Sequence, residues 1–177
     1  MSDKKVPNGQ KPSLIQPVDD AARQEVQKMI DSARHGALSM VDPGTGEPMV
    51  SLVGLAIDDD GRPTFLSSSL SGRNRALEED GRASLLINQP VRGDPLAQPR
   101  LSIYGTVEPV PDEARDHVRT GYLQNHPGAK VYVDFRDMAF WRLEPQRAAY
   151  FAGFGRAYRL SKDDLTRRST GHGESSH

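Results

Sequence analysis

Residues 67–75 read SSSLSGRNR and combine the groups that bind a small anion. The stretch carries four serine hydroxyls, two guanidinium groups and a flexible glycine. It leaves a predicted strand and enters a predicted helix, so free backbone N–H groups add further donors. A phosphate monoester needs donors of this kind on several sides. The same residues also fit an ordinary helix start, in which Ser69 or Ser71 caps the helix and the arginines are solvated.

A second candidate is the strand at residues 48–57, PMVSLVGLAI, in which Ser51 and Gly54 interrupt an apolar run. A flat heteroaromatic ligand lying along such a strand reaches backbone N–H and C=O groups where the side chains are small. The alternative is a plain barrel strand with a bulge at Gly54. Periodicity alone does not separate these two interpretations.

The histidines of the central region are His35, His117 and His126, and none has a second ligand at metal-binding spacing. We therefore predict no metal site. His35 is expected at the C-terminus of a helix, where a cation is favoured. The acidic run at residues 58–60 lacks the carboxylate that a calcium loop needs twelve positions after its start, which favours a hairpin turn.

The sequence offers no nucleophile for covalent catalysis, because it has no cysteine and no GxSxG motif. The catalytic residues are therefore unidentified. If the protein is an enzyme, a bound cofactor is expected to supply the reactivity while the protein supplies placement and electrostatics.

Composition narrows the class of protein. The 177 residues correspond to one domain, and 23 Lys+Arg against 24 Asp+Glu leave a net charge of −1. No global field therefore favours nucleic acid or an anionic membrane. The absence of cysteine excludes disulfides, Cys-ligated zinc and iron–sulfur clusters. With no apolar run long enough for a membrane span or a signal peptide, we expect a cytoplasmic protein that acts on a small molecule.

Short extended runs separated by Gly- and Pro-rich turns predict a mainly β domain, a small antiparallel closed or split barrel with three short peripheral helices. The first helix is expected to begin after Asp19 and to stop at Gly36. Residues 1–18 and 162–177 are polar and are predicted to be disordered tails on either side of the domain at 19–161. All eleven aromatic residues lie between Phe65 and Tyr158, so the core is expected mainly there.

Three stretches together resemble the pyridoxamine 5′-phosphate oxidase-like, FMN-binding split-barrel family, in its heme-utilisation-related branch. They read GEPMVSLVGLAIDDDGRPTFLSSSLSGRNRALEEDGRASLLI, GDPLAQPRLSIYG and HPGAKVYVDFRDMAFWRLEPQRAAYFAGFGRA, and the resemblance covers about residues 20–160. It implies a homodimer of six-stranded split barrels with FMN at the subunit interface.

The resemblance also implies site residues. The strand whose main chain follows the flavin ring corresponds to Met49, Val50, Ser51 and Leu52. The phosphate-binding set corresponds to Ser67, Ser68, Arg73 and Asn74, and Arg100 takes the place of a polar residue that reaches FMN from the other subunit. The oxidase proper has a basic pair where this chain has Arg73 and Asn74, and it has a C-terminal patch for its substrate's phosphate that this chain lacks, so pyridoxamine phosphate is not the expected substrate.

Three hypotheses follow. The first is an FMN-dependent oxidoreductase whose electron donor and substrate are unidentified. The second is a heme-binding or heme-degrading protein of the same fold, with His35, His117 and His126 as conceivable iron ligands. The third is a non-catalytic dimer that only binds a ligand or partner. A copurifying chromophore would separate the first two, and flavin turnover would exclude the third.

Overall fold

A computed structural model of the chain describes residues 15–88, 93–153 and 155–165. One mixed sheet and four α-helices make up most of the described residues. The strands are β1 (Ile15–Gln16), β2 (His35–Val41), β3 (Pro48–Gly54), β4 (Ala56–Ile57), β5 (Pro63–Ser68), β6 (Arg82–Asn88), β7 (Arg100–Pro109), β8 (Met138–Phe151) and β9 (Ala157–Ser161). The helices are α1 (Asp20–Ser32), α2 (Gly72–Glu79), α3 (Asp112–Asn125) and α4 (Lys162–Leu165).

The mainly β architecture with peripheral helices is confirmed. The main path of the sheet runs β1-β9-β8-β7-β6-β2-β3, with β5 attached to β8 and β4 attached to β5. Every pair is antiparallel except β1 with β9. Among the described residues the sheet has nine strands and is not closed. The six longest strands are β2, β3, β5, β6, β7 and β8, and the three short strands β1, β4 and β9 extend the sheet.

The first helix begins where the sequence predicts and ends earlier. The Asp19 carboxylate accepts the backbone N–H of Ala22 at 2.8 Å, which satisfies one of the free donors at the helix start. The helix ends at Ser32, because Ala33 is extended and β2 starts at His35. The expectation that His35 lies at a helix C-terminus is therefore wrong, and His35 begins a strand.

The core extends further toward the N-terminus than the aromatic residues indicate. Apolar residues of α1 and β2, such as Val26, Ile30 and Leu38, are buried together with Phe65 and Trp141. A second, smaller cluster packs α3 against the far side of β4 and β5. Aliphatic residues before Phe65 thus supply a substantial part of the core.

The folded domain extends beyond the predicted limits of 19 and 161. Strand β1 pairs with β9, and α4 buries Leu165 against the core. Residues 15–16 and 162–165, predicted as parts of the tails, are therefore strand and helix. The remainder of both predicted tails, residues 1–14 and 166–177, lies outside the described residues.

Strands β3 and β5 separate next to the candidate site. β4 pairs with β5 through Ala56 and Thr64, and that pairing ends there, while β3 continues paired only to β2. The preceding carbonyl, that of Leu55, is bonded instead by the side chains of Asn125 and His126. We call the resulting opening between β3 and the end of β5 the wedge. No helix among the described residues is long and apolar enough to cross a bilayer.

Candidate functional site

The start of α2 borders the wedge and carries its cation. A Cβ added to Gly72 would lie 3.8 Å from Met49 Cε, so the first turn of α2 approaches β3. The next residue is Arg73, whose Nε donates to Ser67 Oγ at 3.2 Å. The wedge is thus bordered by β3 on one side and by the Ser67–Arg73 contact on the other.

Arg73 is a half-buried guanidinium without a carboxylate partner. No Asp or Glu oxygen in the described part of the chain lies within 4 Å of it, although other arginines are ion-paired. Burial lowers the pKa of Arg73, and the nearby Tyr122 acts in the opposite direction. The group stays protonated at neutral pH. A buried positive charge without a counter-charge favours an anionic ligand.

The hydroxyls near Arg73 are bonded within the fold. Ser67 Oγ accepts from Arg73 Nε and lies 3.3 Å from Ser71 Oγ, and Ser71 Oγ donates to the Ser68 carbonyl at 2.7 Å. The Ser68 hydroxyl instead donates to Asp137 at 2.5 Å, and it accepts the N–H of Leu70. Ser68 therefore holds its loop against the start of β8 and has no free donor for a ligand.

The side chain of Asn74 is likewise occupied. It is buried, its Oδ1 accepts the Trp141 indole N–H at 3.0 Å, and its Nδ2 donates to Glu78 at 2.7 Å. Both ends of the amide are bonded within the fold, so its side chain positions α2 on the core. The sequence-based assignment of Asn74 to the anion site is not supported by this placement.

The apex of the wedge is filled by the end of α3. A Cβ on Gly54 would lie 2.8 Å from Tyr122 Oη and 3.1 Å from the His126 ring. The centroids of the Tyr122 and His126 rings are 4.6 Å apart. Because the Leu55 carbonyl can only accept, the 3.0 Å contact with His126 places the proton on Nε2. Burial raises the pKa of Tyr122 to about 12, so its phenol stays protonated. The sequence analysis did not identify Tyr122, because its helical spacing resembles that of any core residue.

The side of β3 opposite Met49 forms an exposed apolar surface. Val50 is 69% and Leu52 74% exposed, whereas Met49 packs partly against the core and Val53 is buried. Ser51 is half-buried and lies on the same side as Met49. Of the four residues predicted to follow a flavin ring, two therefore face outward and two face inward.

Strand register extends this surface across the sheet. We call the side of β3, β2, β6, β7 and β8 that carries Leu52 the outer face. One row across it contains the register partners Leu52, Ala37, Leu86, Ser102 and Ala149, and a neighbouring row contains Val50, Ser39, Ser84, Tyr104 and Arg147. Five of these ten side chains are alanine or serine, and four of those five lie on the three middle strands, so the middle of the face is shallow.

The predicted ligand residue Arg100 lies far from the wedge within one chain. Arg100 pairs with Phe151 near the end of β8, whereas Ser67 pairs with Ala139 near its start. Its guanidinium stacks on the Phe151 ring at 4.0 Å and donates to the Leu96 carbonyl. A single chain therefore does not bring Arg100 to Arg73.

The three histidines have different environments. His35 is exposed at the start of β2 and is the register partner of Gly54, which places it on the outer face. Its imidazole has no hydrogen-bond or ion-pair partner within the described residues. His117 contacts Asp59 at 3.0 Å beside the hairpin of residues 58–62, and His126 is bonded to Leu55. The described residues contain no cluster of three or more potential metal ligands.

Comparisons with known proteins agree with this architecture. Residues 18–166 match the family described as CREG, beta-barrel. A curated relative, the non-canonical heme oxygenase HOZ of the Arabidopsis thaliana chloroplast, is 31% identical over 152 residues, which are 84% of this chain and 44% of that protein. The chain thus spans less than half the length of that relative.

Solved structures show the same fold. A heme binding protein from Mycobacterium smegmatis superposes with a TM-score of 0.76 at 30% identity, covering 84% of this chain and 61% of that one. A Clostridium acetobutylicum protein of the pyridoxinephosphate oxidase family superposes with a TM-score of 0.65 at 13% identity, covering 84% and 99%. The chain belongs to the CREG β-barrel family and shares the split-barrel fold of the pyridoxamine 5′-phosphate oxidase-like proteins that its sequence resembles.

Proposed function

We propose that this protein binds heme on the outer face of its sheet, beside the wedge, and that it degrades the heme it binds. The observation that carries the proposal is the exposed apolar row on β3, where Val50 and Leu52 are 69% and 74% exposed. Two relatives support it, since one is named a heme oxygenase and the other a heme binding protein. The heme interpretation therefore replaces FMN as the leading hypothesis.

The chemistry of the surface suits a flat apolar ring. Leu52, Leu86 and Ala37 lie in one row on neighbouring strands, with no large side chain between them. Covering these exposed side chains removes apolar area from water, which is favourable at about 25 cal/mol per Å². The shallow middle of the face lets a planar ligand contact several strands at once.

His35 is the imidazole best placed to bind iron. It lies on the outer face next to the apolar rows and has no side-chain partner among the described residues, whereas His117 contacts Asp59 and the His126 ring is bonded at Nε2. A neutral imidazole is a common axial ligand of heme iron. When bound, heme supplies the dioxygen chemistry of degradation. The protein's own part is to bind and orient the ring, while Tyr122 keeps its proton on Oη.

Replacing His35 with alanine is expected to remove the histidine-ligated absorption spectrum of the hemin complex. The matched control is His117→Ala, which removes an exposed α3 histidine that contacts Asp59 and belongs to neither of the two rows defined on the outer face. Titration with hemin, followed through the Soret band, checks this prediction. A His35→Ala spectrum identical to that of the wild type would contradict the assignment of His35.

Replacing Leu52 with asparagine should weaken hemin binding by about tenfold or more, because burial of a leucine side chain contributes about 1.5–3 kcal/mol. Val131 is 75% exposed, against 74% for Leu52, and lies in the turn after α3, outside the β3 surface, so Val131→Asn is a matched control. Equal losses in both variants, or no hemin binding by the wild type, would count against the proposal.

FMN binding is a second candidate, favoured by the unpaired Arg73. Its guanidinium and the backbone N–H groups at the start of α2 are donors suited to a phosphate dianion, and the Ser67 hydroxyl orients the guanidinium by accepting from its Nε. A wild-type protein that takes up added FMN from solution would support this second candidate. One that stays colourless with a large excess of FMN would remove it.

We further propose a homodimer in which a second copy covers the outer face. Val50, Leu52 and Leu86 form an exposed apolar patch on β3 and β6, and such patches mark association surfaces. A two-fold interface is self-complementary, so one face serves both copies and encloses a flat ligand between them. Sedimentation at twice the chain mass of 19.5 kDa is expected, and a monomer at all concentrations would contradict it.

Turnover separates degradation from simple binding. With hemin, a reductant and oxygen, the protein should lose its Soret absorption and release iron. An intact spectrum after many equivalents of reductant would instead favour the non-catalytic, ligand-binding dimer.

A further inference from the structure

We propose that Arg100, Arg147 and Arg159, the arginine cluster, bind the two carboxylates of heme. This inference rests on the proposed function, and it adds the residues that orient the ligand. It also assigns a role to a strongly cationic part of the outer face.

The three arginines lie on the outer face at three adjacent levels of the sheet. Arg147 pairs with Tyr104, and Arg159 pairs with Ala149 in the next row. Arg100 pairs with Phe151 in the row after that. Since the alternating neighbours on each strand are buried, all three side chains point away from the core.

Two of the guanidinium groups are held on aromatic rings. Arg147 Cζ lies 3.9 Å from the centre of the Tyr104 ring, and Arg100 Cζ lies 4.0 Å from that of Phe151. Stacking uses the face of the guanidinium and leaves N–H groups at its edge. A carboxylate binds at that edge, so both groups are prepared for an anion.

The arginine cluster has no internal counter-charge. No carboxylate in the described ranges lies within 4 Å of Arg100, Arg147 or Arg159. Arginines elsewhere are ion-paired, namely Arg23, Arg62, Arg75, Arg82, Arg119 and Arg142. Like charges on neighbouring strands repel one another, so a dianion that neutralises them is favoured.

The spacing suits two carboxylates on one edge of a flat molecule. Arg147 and Arg159 lie in neighbouring rows, about 7 Å apart along the strands, and Arg100 is one row farther, about 13 Å from Arg147. The row between Arg100 and Arg147 contains Arg159 and the small residues Ala149 and Ser102. From Ala149 that row continues over four strand spacings of about 4.8 Å, or about 19 Å, to Leu52.

The outer face is therefore cationic at one end and apolar at the other. Heme has the same polarity, because both carboxylates leave one edge of an otherwise apolar ring. The arginine cluster would take that edge, and the ring would lie toward Leu86 and Leu52. The two ends of the face thus specify one orientation of the ligand.

The test compares hemin with hemin dimethyl ester, in which both carboxylates are neutral. Wild type should bind hemin at least about tenfold more tightly than the ester, the effect of one charge-assisted hydrogen bond. In Arg147→Gln hemin affinity should fall while ester affinity stays constant. Arg119→Gln makes the same charge change on α3 and should keep the wild-type preference.

Three results would decide the proposal. Loss of the preference in Arg147→Gln, with Arg119→Gln unchanged, supports the cluster. A wild type that binds hemin and its ester equally well, or an Arg147→Gln variant that keeps the preference, overturns the cluster and leaves heme binding standing. A wild type that binds neither compound overturns the proposed function itself. Circular dichroism of each variant verifies that the substitutions leave the fold intact.

Discussion

Arg73→Ala should weaken FMN binding by about 10- to 150-fold while leaving hemin affinity nearly unchanged. A charge-assisted hydrogen bond contributes about 1.5–3 kcal/mol, and Arg73 is the half-buried cation of the wedge without a carboxylate partner among the described residues. The heme carboxylates, in contrast, are assigned to the arginine cluster. Fluorescence quenching of FMN and the Soret titration of hemin measure the two affinities separately.

The matched control for this substitution is Arg75→Ala. Arg75 lies two residues along the same helix, but it is exposed and already paired with Glu79 at 2.9 Å. Its replacement should leave both affinities unchanged. Equal loss of FMN affinity in the two variants would show that general charge, rather than Arg73, holds the phosphate. Equal loss of FMN and hemin affinity in Arg73→Ala would place both ligands in the wedge.

Gly54→Ala should lower the free energy of unfolding by about 1–3 kcal/mol, the usual cost of overpacking. The added methyl would lie 2.8 Å from Tyr122 Oη and 3.1 Å from the His126 ring, so the end of α3 must shift. Both side chains belong to the apex of the wedge, and Tyr122 is part of the second core cluster. Urea denaturation followed by circular dichroism measures the change.

Gly128→Ala provides the comparison. A Cβ at Gly128 meets nothing within 4 Å, and its backbone does not require glycine. This substitution should be neutral or slightly stabilising, because alanine has less conformational freedom to lose on folding. If Gly54→Ala were as stable as Gly128→Ala, the close packing of α3 against β3 would be wrong.

Local sequence patterns predicted the elements better than they predicted the site. The helix start after Asp19, the extended run at residues 48–57, which the structure divides into β3 and β4, and the mainly β class depend on capping and alternation, which act over a few residues. His35 was misplaced because the apolar spacing of α1 does not show where the chain becomes extended. Element type is thus a local property, whereas the end of an element also depends on its neighbours.

The site depends on contacts between distant parts of the chain. Ser68 bonds Asp137, and Asn74 bonds Trp141, so both side chains are occupied by partners more than sixty residues away. No motif within residues 67–75 reveals those partners. The resemblance to a known family correctly selected the fold, but it could not separate Arg73, whose charge is unpaired, from Asn74, whose amide is fully bonded.

The sequence alone could not predict the outer face, because that face too depends on contacts between distant parts of the chain. Its rows exist only once the register of five strands is known, because Leu52 and Ala149 are almost a hundred residues apart and lie in one row. The sequence shows Arg147 as one arginine among many. Only the sheet shows that it stacks on Tyr104 beside two other arginines without carboxylate partners.

Nuclear magnetic resonance with hemin tests the location of the ligand most directly. Ferric heme is paramagnetic and broadens the amide signals of nearby residues in the ¹⁵N-labelled protein. We predict the strongest broadening at Leu52, Ala37 and Leu86 on the outer face. Unchanged signals of these three residues at saturating hemin, or broadening confined to other residues, would contradict heme binding on this face.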